Sequence, residues 1–169
     1  MKTIFDNLPA GLILLDGGMG QELIRRKVSG QGALWSAKAL FDNPAAVQAV
    51  HEDYIRAGAD VITTNSYACI RNNFAPEGLL DRLGEMNRLS AMLARRARDR
   101  VGKSVLIAGS MGPQNGSYRP DLVGSYDETE ALYREQAGFL APFVDLFICE
   151  TMSCIKEARA AASAALFAG

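Results

Sequence analysis

Four short apolar runs punctuate the chain, each closed by a polar or glycine-rich cluster and followed by helical periodicity. The first is Gly11 to Leu15 (GLILL), ending in Asp16-Gly17-Gly18. The second is Asp60 to Thr63 (DVIT), ending in Thr64-Asn65-Ser66. The third is Val105 to Ala108 (VLIA), ending in Gly109-Ser110-Met111-Gly112-Pro113. The fourth is Asp145 to Cys149 (DLFIC), ending in Glu150-Thr151. Continuous rather than alternating apolar character is the mark of strands covered on both faces, as in parallel sheets.

The stretches between the runs read as helices. Asn43-Pro44 supplies an N-cap and a proline at the first helical position. Behind it Val47, Val50 and Tyr54 share one face, and Gly58 provides a stop. Leu79, Leu83, Met86, Leu93 and Ala97 form the stripe of a longer second helix. Ser125 with Glu128 has the spacing of a capping box, and Leu132, Gln136, Phe139 and Leu140 carry the third helix towards Pro142. An alanine-rich fourth helix runs from about Ser153 to Phe167, with Ile155, Ala158, Ala162 and Leu166 predicted on its apolar face. Met19 to Asp42 is the longest irregular segment, and a segment that long in a compact domain is functional or contains short helices.

Strand and helix therefore alternate in four units, for which a right-handed parallel arrangement is expected. An open doubly wound sheet and half of an eight-unit barrel both satisfy the pattern. In both, chemistry sits at the C-terminal ends of the strands. Those ends carry Asp16, Asn65, Ser110 and Glu150, one polar group per run.

Length and charge narrow the function class. The 169 residues make one domain, large enough to fold without a disulfide or metal staple. Hydrophobic residues make up 49% and charged residues 22%, which excludes a disordered or fibrous chain. Eighteen Lys+Arg against nineteen Asp+Glu leave a net charge of −1, no field for nucleic acid or an anionic membrane. The arginines at 95, 96, 98 and 100 suit a solvated helix end, without the interleaved aromatics of a nucleic-acid surface. No uncharged apolar run approaches the length of a membrane span, and the first residues, with Lys2 and then Asp6, do not form a signal segment. Three cysteines without paired spacing fit a reducing cytoplasm.

The same residues limit the chemistry. The single histidine, His51, lies inside the first helical pattern and reads as a packing or surface residue, so a Ser-His-Asp or Cys-His device lacks its base. Cys69, Cys149 and Cys154 have no metal-ligand spacing and read as small hydrophobes. Asp16-Gly17-Gly18-Met19-Gly20 lets backbone approach a ligand, or forms a tight turn in which Asp16 caps a following helix; it is neither GxGxxG nor a Walker loop. Asp16 and Glu150 form a potential acid–base pair or a seat for an amino group.

Taken in order, LLDGGMGQEL, LWSAKAL, NPAAVQAVHEDYIRAGADVITTNSYA, GSMGP and FICET resemble the homocysteine S-methyltransferase family, the homocysteine-binding barrels that include betaine- and cobalamin-dependent methionine-forming enzymes. The resemblance runs from about Leu12 to Ala165. It implies a (βα)8 TIM barrel, of which residues 1–169 would be the N-terminal half, about the first four βα units, with no second domain. It implies methyl transfer to the thiol of homocysteine, giving methionine. It places Asp16, Gly17 and Gly18 beside the homocysteine, Glu150 on its amino group through a charge-assisted hydrogen bond, and Asn65, with Thr64, Ser66, Ser110 and Gly112, nearby.

The resemblance also implies zinc, which binds the substrate sulfur and makes it a thiolate at neutral pH. The family's zinc cysteines lie beyond Gly169, so no metal ligand is expected among these residues. Partners implied are homocysteine and a small methyl donor: S-methylmethionine, a betaine-like ammonium, a dimethylsulfonio compound, or a corrinoid or folate. Exposed barrel edges would make a homo-oligomer, and a non-catalytic half-barrel homodimer is an alternative. An open α/β domain holding a phosphorylated ligand on the DGGMG loop is another.

Overall fold

The computed structural model describes residues 12–28, 32 and 34–169. Gly11, where the first apolar run opens, and Lys2 and Asp6 lie outside them. In chain order the regular elements are α1 (Met19–Arg25), α2 (Lys38–Asp42), α3 (Pro44–Ala57), β1 (Val61–Thr63), α4 (Arg71–Phe74), α5 (Leu83–Val101), β2 (Leu106–Met111), α6 (Tyr126–Leu140), β3 (Leu146–Cys149) and α7 (Ile155–Ala168). It is an α/β fold, with helices packed around a small parallel sheet.

The strands pair in sequence order, β1-β2-β3, with Ile62 opposite Ile107 and Ser110 opposite Ile148. The first apolar run contributes one parallel bridge, Leu15 to Val61, on the free side of β1. Leu14 and Asp16 complete that junction: Val61 N donates to Leu14 O and Asp16 N donates to Val61 O. The second and fourth runs become strands within a residue of their expected limits. The third extends further, because Gly109, Ser110 and Met111 remain in β2 instead of leaving it as a loop.

Local sequence accounts for the helix limits. Asn43 Oδ1 accepts from Ala46 N at 3.1 Å, Pro44 opens α3, and Gly58 ends it at φ 109°. Val47 and Val50 are fully buried, as their spacing predicts. Leu83, Met86, Leu93 and Ala97 bury the stripe of α5, while Leu79 falls just before it. Both halves of the capping box at Ser125 and Glu128 form, and α6 stops at a 3-10 turn containing Pro142. Its buried face includes Tyr133, which the expected stripe passed over for its half-buried neighbour Leu132.

The fourth helix corrects an expectation. α7 turns Glu157, Ala160, Ala161 and Ala164 inward, whereas Ile155 and Leu166 of the predicted face are 81% and 83% exposed. The alanines lie with Met111, Tyr133 and Ala137 in one apolar cluster. Small side chains let α7 approach α6 closely, and that contact outweighs the larger hydrophobes on the other side. The irregular segment after Met19 holds α1, a 3-10 turn at Trp35–Ala37 and α2. Among the described residues, no helix is long and apolar enough to cross a membrane.

Candidate functional site

The C-terminal ends of the strands open on a cavity of about 820 Å³. Asp16, Gly17, Gly18, Asn65 and Glu150, the five residues singled out from sequence, all border it, as do Thr64 and Ser110. Ser66 and Gly112 do not line it. Parallel strands joined by helices bring these distant positions together, because every strand ends on the same side.

Asp16 sits where the first run meets β1. Its carboxylate accepts from Thr63 N at 2.8 Å and from Thr63 Oγ1 at 2.7 Å. It does not cap α1, whose N-cap is Gly18 without a side-chain bond. Burial pushes the Asp16 carboxyl up to about 6, the Thr63 bonds pull it down, and the charge of Glu150 adds a smaller upward push. Glu150 follows β3, and its Oε1 accepts from Ser110 Oγ at 2.5 Å. Asn65 is buried, and its amide donates to Ser36 O at 3.0 Å.

Gly17 and Gly20 are required by packing. A Cβ on Gly17 would lie 2.7 Å from the Tyr54 hydroxyl, and one on Gly20 would lie 2.5 Å from the Trp35 indole. Trp35 in turn meets Tyr67 edge to face, with ring centroids 5.9 Å apart. The Tyr67 and Ser117 hydroxyls are hydrogen-bonded at 2.6 Å, and Tyr118 stands at the mouth. Sequence reasoning missed these three aromatics and Thr63. The one usable signal was the only tryptophan of the chain, placed in an irregular segment.

Trp35, Tyr118 and Thr151 line the cavity with positive φ, at 39°, 61° and 59°. For β-branched Thr151, directly after Glu150, this is an uncommon and costly conformation of order 1–3 kcal/mol. Such strain persists only where surrounding structure imposes it, and it clusters at ligand sites. Among the described residues, the charged side chains lining the cavity are both carboxylates, Asp16 and Glu150.

The chain's cysteines and histidine do not fit a metal. Cys69 is fully buried, with Sγ directed at Asn65 O at 3.7 Å, and burial pushes its thiol far above the usual range. Cys149 and Cys154 are free thiols outside the cavity lining. His51 is fully buried in α3 without a hydrogen-bond partner among the described residues, and burial lowers it to about 4, so it packs as a neutral ring. Among the described residues, no group of three or more His, Cys, Asp or Glu side chains is placed to hold a metal ion. Of the arginines near the end of α5, Arg98 and Arg100 pair with Asp145 and Glu52.

The sequence and fold have counterparts among known proteins. Residues 13–168 match the family model for homocysteine S-methyltransferase. Homocysteine S-methyltransferase YbgG of Bacillus subtilis is 34% identical over 95% of this chain and 56% of its own length. Homocysteine S-methyltransferase of Escherichia coli is 35% identical over 89% of this chain and 53% of its own. The metallated form of the homocysteine methyltransferase MmuM from Escherichia coli superimposes with a TM-score of 0.83 at 36% identity, covering 92% of this chain and 59% of that one. The chain belongs to the homocysteine S-methyltransferase family. It spans about half the length of the curated relatives it matches.

Proposed function

We propose that this chain forms the amino-acid-binding half of a homocysteine S-methyltransferase, built as the first arc of a (βα)8 barrel. What supports the arc is the strand order, sequential and all parallel, with the first run beyond β1. A doubly wound sheet would reverse its order at a switch point. The exposed run Leu12 to Leu15 and the outer face of α7 are then the surfaces that later βα units cover.

The observation that carries the reading is the cavity's charge. Its two carboxylates suit an ammonium group and oppose a phosphate, so the phospholigand alternative loses support. We assign the homocysteine amino group to Glu150, with Asp16 and Asn65 shaping the wall beside it. Gly17 and Gly18 present bare backbone to the rest of the amino acid. Acidic and aromatic lining together favour a cationic donor, a sulfonium or quaternary ammonium, over an anionic folate, because Trp35, Tyr67 and Tyr118 border the same cavity as the two carboxylates and aromatic rings attract onium groups.

In the reaction, homocysteine sulfur attacks the donor's methyl carbon in line. A sulfur–carbon bond forms, and the donor heteroatom keeps the electron pair of the bond that breaks. Holding sulfur and methyl carbon in register is the contribution expected of a site like this one. Zinc, which the family resemblance implies, would supply thiolate at neutral pH. The side chains of this chain do not fit it, so we assign its ligands to the later segment and derive no step through it. Three free cysteines agree with a reducing, cytoplasmic setting.

Calorimetric titration of the protein, as its cell makes it, with homocysteine under reducing conditions tests the assignment. Glu150→Gln removes the charge and should weaken binding by about 1.5–3 kcal/mol, the range for hydrogen bonds to charged groups. An unchanged dissociation constant would overturn the role given to Glu150.

A further inference from the structure

β1 stops at Thr63, but β2 continues to Met111. Alternate residues of β2 address opposite neighbours. Towards β3, Asp145 N donates to Ile107 O and Glu150 N donates to Met111 O. Towards β1, Leu106 N donates to Asp60 O and Ala108 O accepts from Thr64 N. Ser110 is next on that side, where β1 has already ended and, among the described residues, no strand receives it. Buried as it is, its N–H and C=O would each carry a desolvation cost if left unpaired.

Two hydroxyls replace the missing ladder. Ser110 N donates to Thr64 Oγ1 at 3.0 Å, and Ser66 Oγ donates to Ser110 O at 2.7 Å. The Thr64 and Ser66 hydroxyl oxygens are themselves 2.7 Å apart. Ser66 has one proton, and the carbonyl has none to offer, so that proton lies on the Ser110 side. Thr64 must therefore donate to Ser66. The result is a closed ring with one direction: Ser110 N–H to Thr64, Thr64 to Ser66, Ser66 to Ser110 C=O. From across the fold, Gln136 of α6 donates to Ser66 O at 2.9 Å and holds the ring from behind.

We propose that Thr64 and Ser66 are positioning residues for Glu150: their ring fixes the Ser110 backbone so that its hydroxyl holds one carboxylate oxygen and leaves the other to a ligand's ammonium group. The ligand half of this statement rests on the homocysteine reading above; the ring does not. Ser66 is fully buried and outside the cavity lining, so it acts only through its partners in the ring, and through Ser110 on Glu150.

The test has two arms. Without ligand, amide exchange at Ser110 is followed by NMR in wild type, Thr64→Val and Thr64→Ser. Valine keeps the shape and loses the hydroxyl, so Ser110 protection should fall at least tenfold; serine should retain it within about threefold. Equal protection in all three proteins would overturn the ring. With homocysteine, Ser66→Ala and Ser110→Ala should each weaken binding about five- to twentyfold, and the double variant should be no weaker than Ser110→Ala alone. That non-additivity separates action through Ser110 from general damage, which would make the losses multiply. An unaffected Ser66→Ala, or multiplied losses, would overturn the positioning role. Should Ser66→Ala fail to fold, Thr64→Val against Thr64→Ser carries the binding arm as well. A wild type that ignores homocysteine would defeat the function proposed above and the ligand half here, while the exchange arm still decides the ring.

Discussion

The middle of this fold and its two flanks obey different rules. In the middle, α3 and α5 press Val47, Val50 and Met86 into one cluster, and β1 and β2 bury Ile62 and Ile107 beneath them. On one flank, Leu12 to Leu15 touch β1 through a few backbone bonds and remain largely open. On the other, α7 packs on α6 through alanines and turns Ile155, Leu166 and Phe167 outward. As sequence the flanks are no less apolar than the middle: α7 and Leu12 to Leu15 are more apolar than α5. What differs is whether a neighbouring unit stands on both sides, so burial here reports position in the array more than hydrophobicity.

The sharpest way to break this comparison is to delete one ring from each region. Phe74 is fully buried, with the Phe41 ring centroid 6.0 Å away. Phe74→Ala should cost about 3–5 kcal/mol in urea unfolding, as cavities left by large side chains do. Phe167 is 75% exposed, with the Arg134 guanidinium over its face, 3.9 Å from the centroid. Its loss should cost about 0.5–1 kcal/mol, the worth of an exposed cation–π contact. Similar losses at both positions would mean that the outer face of α7 is covered in solution.

The Leu12 to Leu15 flank is tied inward by Asp16, and that tie responds to pH. The carboxyl titrates near 3.8 when unperturbed and near 6 in the folded protein. Between those values the folded state holds a proton that the unfolded chain has released, so stability falls as pH rises through the window. The full decline is up to about 3 kcal/mol, at about 1.4 kcal/mol per pH unit. Asp16→Asn cannot lose that proton. The stability difference between wild type and variant should therefore change from pH 4 to pH 7 in the variant's favour, and a constant difference would show that burial does not govern Asp16.

The same contrast explains what was legible in the sequence. Asp16, Asn65, Ser110 and Glu150 were found because each ends an apolar run, and a parallel βα array places all such ends on one side. Asn43, Gly58 and the Ser125–Glu128 pair marked helix limits through local hydrogen bonding, which short spacing encodes. Trp35, Tyr67 and Tyr118 were not found, since they enter the cavity from irregular segments without periodicity. The inward face of α7 was misread because periodicity reports which face is apolar, not which face has a neighbour. The extent of β2 was missed for a related reason: Gly109 and Met111 stay paired to β3 while Ser110 takes hydroxyl partners, and a strand pattern does not register which partners are present.

The starts of a middle helix and a flanking helix offer the finest comparison. α3 begins at Asn43, whose side chain already accepts from Ala46 N. α7 begins at Cys154, in extended backbone at φ −156° and ψ 166°, with no side-chain bond to the helix. Its first turn relies instead on Glu157, whose carboxylate accepts from Ser153 N at 2.7 Å and from Tyr133 Oη at 3.3 Å. Serine nearly matches cysteine in size and adds an oxygen that can accept from the first helical amides. Cys154→Ser should therefore raise stability by about 0.5–1 kcal/mol, read as a higher urea midpoint at unchanged slope. A gain would show that α7 lacks the local cap that α3 has. A loss would show that the Glu157 bonds already fix the helix start, and that the cysteine's value there is its packing.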